Sequence, residues 1–296
     1  MTTAQGCPFC HGVTQKVYCT TSQGTILECT ACGGRFAQDR RDEVQLDDPP
    51  AASAAINREY AESYADAAET ELAIARNVVK FVVDRVGPPA SVLEVGCGQA
   101  QIGRALGETM PAASYTGIEI SRELFRGMDS GQKARVIHAP TLEQALAQVD
   151  DGHYDLVVMH HVLEHLPAPA DTLALVKRKM RPGGNIFIEV PNEQWKRPLI
   201  SLRHLLKRGG DDWFPGHINF FTRRPLESLV RSQGLRIVAS KVVPAADLPA
   251  LVVKMLGGPR AYRENPLARM VFGLLRLTQV ERVLGYGISL RCIART

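Results

Sequence analysis

The sequence predicts an α/β fold built on a doubly wound, mostly parallel β-sheet. From residue 58 onward, strand-like and helix-like segments alternate, and the strand-like segments are short apolar runs. Strands that helices cover on both faces have this composition. The chain has 296 residues, 45% hydrophobic and 22% charged, which is enough for a core of ordinary size.

The predicted elements follow one another in a regular order. A helical pattern over 58–86 stops at Gly87-Pro88-Pro89. Apolar strands are predicted over 91–95, 114–120, 134–138, 154–160 and 185–190, with helices over 102–108, 141–149 and 169–180. A helix over 223–234 follows, and then the strand-like "LRIVASKVV" and "GISLRCIAR" bring the sheet to seven strands.

Charge and hydropathy give few constraints on partners. The net charge of +4 is too small to indicate nucleic acid or a membrane surface by itself. No signal-peptide pattern and no spanning apolar run is found in the sequence, so we expect a cytoplasmic protein with reduced thiols. The C-terminal "LPALVVKMLGG" and "PLARMVFGLLRLTQVERVL" favour core or homodimer packing, with membrane-surface contact as a weaker interpretation.

Four cysteines set the N-terminal segment apart. Cys7-x2-Cys10 and Cys29-x2-Cys32 are 18 residues apart, and a glycine follows each pair closely. This spacing is typical of a four-thiolate structural zinc site. We therefore predict a zinc ribbon over 1–36, which zinc helps to fold, and a linker over 37–57. Cys19, Cys97 and Cys292 are expected to be free thiols.

A glycine turn follows the first predicted strand of the large sheet. In "SVLEVGCGQAQIG", Glu94 precedes Gly96 and Gly98, and such glycines let the backbone approach a ligand closely. A dinucleotide site needs a third glycine where Gln101 stands, so an NAD site is disfavoured. A second acid, Glu119, ends the next strand. Its separation from Gly98 in the sequence is about that expected for an acid that accepts hydrogen bonds from a ribose.

These features resemble motif I of the class I S-adenosylmethionine-dependent methyltransferases, with Ala100 in place of the motif's third glycine. "YDLVVMHHVLEHL" and "MRPGGNIFIEVPN" resemble the segments around strands 4 and 5 of that family. The resemblance implies a Rossmann-like catalytic domain over 58–296 and a site for S-adenosylmethionine. Glu94 would hold the cationic part of the cofactor and Glu119 its ribose, and the cofactor-binding residues are expected to be Glu94, Gly96, Cys97, Gly98, Glu119, Ile120 and His160.

Histidines gather after the fourth predicted strand. His161, Glu164 and His165 are spaced to share one face of a helical turn, and His217 follows in "FPGHINFFT". We predict His161, His165 and His217 as catalytic residues, with His161 or His165 as general base. A similar element in small-RNA 2′-O-methyltransferases holds a divalent ion, so His161, Glu164, His165 and His217 could hold a second metal. Alternatively, Glu164 and His165 only cap and orient the turn.

An acceptor-side insertion is expected over about 192–222. It carries Trp195, Trp213 and Phe214 beside a basic amphipathic stretch, while Tyr60 and Tyr64 could form a lid. We therefore predict methyl transfer to oxygen on a small molecule of a quinone, sugar or natural-product pathway. The alternatives are a C-methyltransferase of nucleotide-linked sugars, an RNA 2′-O-methyltransferase, and a non-catalytic zinc-ribbon binding protein.

Overall fold

The computed structural model describes residues 6–21, 24–38, 68–128, 131, 135–194, 217–243 and 289–296. Several predictions fall elsewhere in the chain. Outside the described residues lie the linker from residue 39, the start of helix 58–86 with Tyr60 and Tyr64, the insertion from residue 195 with Trp195, Trp213 and Phe214, and the apolar C-terminal segments.

The strands and helices of the larger sheet alternate as predicted, although some ends shift by several residues and the short helix Arg122–Gly127 was not predicted. In chain order the structure has β1 (Gln15–Thr21), β2 (Gly24–Cys29), β3 (Arg35–Ala37), α1 (Ala68–Val86), β4 (Ser91–Val95), α2 (Gln101–Thr109), β5 (Ser114–Glu119), α3 (Arg122–Gly127), β6 (Val136–His138), α4 (Leu142–Leu146), β7 (Tyr154–His160), a 3-10 turn (Leu163–His165), α5 (Pro169–Lys179), β8 (Met180–Pro191), β9 (Asn219–Phe220), α6 (Arg223–Ser232), β10 (Arg236–Val243) and β11 (Ser289–Arg295).

The larger sheet confirms the predicted fold class. Its seven strands run in the order β10-β11-β8-β7-β4-β5-β6. The five strands from β8 to β6 are parallel, whereas β11 pairs antiparallel with both β8 and β10. The chain reverses its direction of winding at β4, and ligands of doubly wound sheets bind beyond the carboxyl ends of strands at this point.

Helices cover both faces of this sheet because its buried strands present apolar side chains alternately to each side. On one face, α1 and α2 pack against Val92, Leu156 and Phe187. On the other, α4, α5 and α6 pack against Leu93, Val157 and their neighbours. Among the described residues, none of the helices combines the length and the apolar character that a membrane crossing needs.

A second sheet joins the N-terminal segment to the rest of the molecule. It is antiparallel, with the order β1-β2-β3-β9, so its fourth strand comes from far along the chain. Arg35 pairs with Phe220, and the ring of Phe9 meets the edge of Phe221 at a centroid distance of 5.1 Å. The sequence did not predict this pairing. It places the cysteine pairs on the side of the molecule that carries residues 217–221.

Candidate active site

The glycine turn lies at the carboxyl ends of β4 and β5. The N–H groups of Gly96 and Cys97 donate to the carbonyl of Ile118 at 2.8 and 2.9 Å. Gly96 and Gly98 have φ of +68° and +54°, which is the left-handed region that glycine adopts at no steric cost. A Cβ on Gly98 would meet nothing within 4 Å, so its backbone is open to a ligand.

Glu119 holds this turn from the neighbouring strand. Its Oε2 accepts a hydrogen bond from Gly98 N, and its Oε1 one from Ser121 N, both at 2.7 Å. The residue is 5% exposed, and burial raises its pKa to about 7 although these backbone donors favour the charged form. A carboxylate has about four lone-pair sites, so two accepted bonds leave capacity for a diol.

Glu94 is buried, unlike an acid at a solvent-exposed strand end. It is 3% exposed, and the hydroxyl of Tyr115 donates to its Oε2 at 2.5 Å. Burial, with a smaller contribution from the charge of Glu119, raises the pKa of Glu94 to about 8. Tyr115 fits beside it because residues 103 and 117 are glycines: a Cβ at Gly103 would come within 2.5 Å of the tyrosine ring. Sequence reasoning did not identify Tyr115.

An aromatic pair stands beside Glu119 at the end of β6. The rings of Phe125 and His138 stack at 5.0 Å with an interplanar angle of 14°. His138 Nδ1 lies 2.9 Å from the backbone carbonyl of Glu119, to which it donates. Neither member of this pair was predicted from the sequence. Ile120, a predicted contact, follows Glu119 directly and is half-buried.

His160 and His161 occupy the end of β7, next to β4. Burial lowers the pKa of His160 to about 4, so its imidazole is neutral, and its Nε2 lies 3.7 Å from Glu189 Oε2. His161 has a φ of +56°, and its Nδ1 donates to Glu164 Oε1 at 3.1 Å. Burial disfavours its charged form, but the hydrogen bond and the charge of Glu164 prevail and raise the pKa of His161.

The four predicted metal ligands divide between two clusters. Donor atoms of Glu164, His165 and His217 lie within 4.8 Å of one another, whereas His161 groups with His160 and Glu189. Residues 163–165 form a 3-10 turn instead of the start of an α-helix, so His161 contacts Glu164 while His165 faces His217. His161 is thus a neighbour of the three-residue cluster, not a member of it.

The three-residue cluster has donors that suit a divalent cation. Glu164 is 1% exposed, and within the described part of the chain its Oε2 has no hydrogen-bond partner. Burial alone would raise the pKa of Glu164, but His161 and the other two histidines lower it to about 2, so the carboxylate is charged. One carboxylate and two imidazoles are a common ligand set for first-row divalent metals.

The cysteines converge in the N-terminal sheet. Cys7 Sγ and Cys32 Sγ are 3.6 Å apart, Cys10 Sγ and Cys29 Sγ are 3.7 Å apart, and all four sulfurs lie within 4.8 Å of one another. A tetrahedral zinc with bonds of about 2.3 Å spaces its sulfurs at about 3.8 Å, so the set fits that ion.

The two cysteine pairs repeat one backbone turn. Cys7 N donates to Gly12 O at 2.9 Å, and Cys29 N donates to Gly34 O at 2.8 Å. Backbone N–H groups also point at the sulfurs, from Phe9 to Cys7 at 3.5 Å and from Gly34 to Cys32 at 3.3 Å. Such donors stabilise thiolates, the form in which cysteine binds a metal.

Comparison with known proteins agrees with this geometry. The chain is 33% identical over 157 residues to a ubiquinone biosynthesis O-methyltransferase of Aromatoleum aromaticum, covering 49% of this chain and 63% of the relative. A protein of the same name from Burkholderia thailandensis is 29% identical over 167 residues, covering 52% of this chain and 68% of the relative.

The fold comparison and the family comparison lead to one assignment. The crystal structure of a SAM-dependent methyltransferase from Archaeoglobus fulgidus superimposes with a TM-score of 0.52 at 19% identity, covering 76% of this chain and 94% of that one, and thus shares the fold. The family model described as "Methyltransferase domain" matches residues 64–240, more than half of the chain. The chain therefore belongs to the methyltransferase domain family, and the predicted class I S-adenosylmethionine-dependent methyltransferase is confirmed.

Proposed function

We propose that this chain transfers a methyl group from S-adenosylmethionine to a hydroxyl oxygen of a small molecule. The observation that supports it best is that His161, Glu164 and His165 directly follow β7, beside the strand that leads into the glycine turn. His217 joins Glu164 and His165 there in one cluster. The quinone-pathway O-methyltransferases that the chain resembles support a phenolic acceptor, such as a catechol or a quinol.

The cofactor would lie across the ends of β4, β5 and β6. S-adenosylmethionine supplies a methyl group that its sulfonium makes electrophilic. The backbone from Gly96 through Cys97 to Gly98 would lie against the methionine portion, and Glu119 would accept hydrogen bonds from the ribose hydroxyls. The positive charge of the bound cofactor would favour the ionised form of Glu94, and this carboxylate would stabilise the cationic end. Ile120 and His160 would border the site, and the stacked pair of Phe125 and His138 would flank the adenine.

His161 is proposed as the general base. In the neutral form of the ring, Nδ1–H is donated to Glu164 and Nε2 carries the lone pair that would accept the proton of the acceptor hydroxyl. The side chain is 41% exposed. As the proton leaves, the oxygen forms a bond to the methyl carbon and the carbon–sulfur bond breaks, leaving S-adenosylhomocysteine. Alignment of these atoms supplies much of the rate.

Glu164, through its free oxygen, together with His165 and His217 would hold a divalent cation. Such a cation lowers the pKa of a nearby hydroxyl and so makes its proton easier to remove. Glu164 would then serve both functions, since one oxygen orients His161 and the other faces the two histidines. This arrangement replaces the predicted set of four metal ligands with three ligands and one base.

The remaining proposals concern the organisation of the chain. Residues 1–36 would form a zinc ribbon with a structural Zn2+ on Cys7, Cys10, Cys29 and Cys32, joined by the linker 37–57 to a catalytic domain over 58–296. The segment at about 192–222 would shape the acceptor pocket. A cytoplasmic location, homodimer packing and membrane-surface contact of the C-terminal segments stay predictions.

The test uses the full chain with 3,4-dihydroxybenzoate as a catechol probe. We expect formation of S-adenosylhomocysteine and an O-methylated product, loss of turnover after chelation, and recovery with Mg2+ or Mn2+. Glu164→Gln should abolish the recovery, while Glu143→Gln, at an exposed position, should not. Failure of S-adenosylmethionine to bind at millimolar concentration would refute the proposed methyltransferase activity. Full turnover after chelation would refute the proposed role of the divalent cation.

A further inference from the structure

The geometry points to Asn219 as a positioning residue through which the cysteine-bearing sheet sets the arrangement of Glu164, His165 and His217. The inference rests on the proposed function of that cluster and extends it to regulation by the zinc site. Asn219 is 1% exposed and lies two residues after His217, in the short strand β9.

Asn219 ties two ligand-bearing segments together. Its Nδ2 donates to the carbonyls of Leu163 at 2.9 Å and Leu166 at 2.6 Å, which are at the two ends of the turn that carries Glu164 and His165. The N–H of Ile218 adds a third bond, to the carbonyl of Glu164 at 2.9 Å. The backbone of the turn is thereby fixed to the segment that carries His217.

The opposite edge of the same segment belongs to the cysteine-bearing sheet. Ala37 N donates to the carbonyl of Ile218 at 2.9 Å, and Phe36 pairs with Asn219. The backbone of Ile218 therefore donates to the ligand-bearing turn and accepts from β3. The ring of Phe9 packs against the rings of both Phe36 and Phe221, and Phe221 directly follows β9.

This connection makes the ligand cluster depend on the cysteines. A strand of two residues such as β9 is not stable by itself and takes its order from the strand with which it pairs. A small sheet around four thiolates depends in turn on zinc for its folding free energy. Groups that orient metal ligands commonly change metal affinity or activity by 10- to 100-fold when altered. We therefore expect loss of zinc to loosen His217 from Glu164 and His165.

The first experiment compares Asn219→Leu with Asn185→Leu in the full-length protein. Asn185 also uses its side chain in a hydrogen bond, accepting from Arg295 Nε at 2.9 Å, but it lies away from the cluster. We expect Asn219→Leu to weaken Mn2+ binding, followed by electron paramagnetic resonance, and to lower kcat, each at least tenfold. The KM for S-adenosylmethionine should change less than twofold. Asn185→Leu should leave all three values unchanged.

The second experiment removes the zinc site instead, with Cys32→Ser, and decides the matter if Asn219→Leu does not fold. Hydrogen exchange of the peptide that contains residues 162–166 should become faster, while binding of S-adenosylhomocysteine stays within twofold. Unchanged exchange with unchanged Mn2+ affinity would overturn the coupling and leave the proposed function intact. If the wild-type protein binds no Mn2+, the metal proposal fails, and the exchange measurement alone decides whether the sheet orders the turn.

Discussion

Tyr115 and Glu94 form a 2.5 Å hydrogen bond inside the protein, between the start of β5 and the end of β4. Glu94 is buried and Tyr115 is half-buried, and two glycines, Gly103 and Gly117, make room for the tyrosine. The hydroxyl gives the carboxyl group a partner that water cannot replace there. Glu94, which we expect to contact the cofactor, is thus also held in place by the protein core. Its protonation therefore affects stability.

The stability of the cofactor-free protein should fall as the pH rises from about 6 to about 8. Burial raises the pKa of Glu94 from 4.5 to about 8, so across this range the folded state keeps a proton that the unfolded chain has released. Raising the pH through the folded-state pKa removes that proton and the associated stability. Glu119, with a pKa of about 7, acts in the same direction. Thermal melts at several pH values measure the effect.

Glu94→Gln isolates the contribution of this one group. The glutamine side chain keeps an oxygen that can accept a hydrogen bond from Tyr115, but it cannot ionise. The melting temperature of the variant should therefore depend less on pH than that of the wild type. The exposed Glu69→Gln serves as the control and should keep the wild-type slope. Equal slopes for all three proteins would contradict a buried, proton-bearing Glu94.

Cofactor affinity should depend strongly on Glu119. In Glu119→Gln only one amide oxygen remains, so either Gly98 N or Ser121 N loses its acceptor, and the ribose loses a charged partner. Hydrogen bonds to charged groups contribute about 1.5–3 kcal/mol, which corresponds to roughly 10- to 160-fold weaker binding. Calorimetry measures the affinity for S-adenosylhomocysteine, and Glu143→Gln, at an exposed position, is the control. A change below threefold would argue against the ribose contact.

Substitution of Ala100 by glycine should be nearly neutral. Ala100 has a φ of +55°, a conformation that costs an L-residue about 1–2 kcal/mol. Glycine removes this strain, and the gain offsets the lost burial of the methyl group and the larger backbone entropy of glycine in the unfolded chain. The unfolding free energy should change by less than about 0.5 kcal/mol. Ala105→Gly, inside α2 and fully buried, should lose about 1.5–2 kcal/mol. Equal losses in denaturant titrations would contradict the left-handed conformation.

The zinc content should be about one ion per chain, by the four-thiolate stoichiometry, and both Cys7→Ser and Cys29→Ser should abolish it. The melting temperature should fall with the metal, because the sheet around the thiolates depends on it. Cys19→Ser changes a cysteine of the same sheet that is not in the cluster and should retain the ion. Elemental analysis decides; zinc retained in Cys29→Ser would exclude the site.

Removal of the proposed base should lower kcat far more than it raises KM. General-base catalysis contributes about 10²- to 10⁴-fold, so His161→Gln should lose activity in that range while S-adenosylhomocysteine still binds. The exposed His153→Gln should behave as the wild type. A kcat within threefold of the wild-type value would assign the proton transfer to another group.

The sequence predicted the large sheet because its signals are local. Strand 154–160 was predicted with its observed ends, since six of its seven residues are buried and its centre, Leu156 to Met159, is one continuous apolar run. Strand 185–190 was predicted too short: β8 begins at Met180, directly after α5, and Gly183 adopts a φ of +75° within it. The turn residues "RPGG" suggested a loop there, and the pairing of Tyr154 with Met180 extends the strand through it.

The parts that were missed depend on contacts between distant residues. The strand β9 has only two residues, so no periodicity marks it, and its pairing with β3 follows from tertiary packing. Tyr115 reads as an ordinary strand residue, and its hydrogen bond to Glu94 follows from the parallel register of β4 and β5. His161 and Glu164 were singled out correctly as neighbours, but the left-handed backbone of His161 separates it from the other two histidines.

The pairing of β3 with β9 also bears on the biogenesis of the protein. On the ribosome, the N-terminal sheet emerges long before Asn219 and Phe220, so the outer edge of β3 stays unpaired while most of the chain is made. An open strand edge is a template for association with other chains. We expect fragments that end after β8 to aggregate, and a chaperone that covers such edges to raise the yield of the full-length protein.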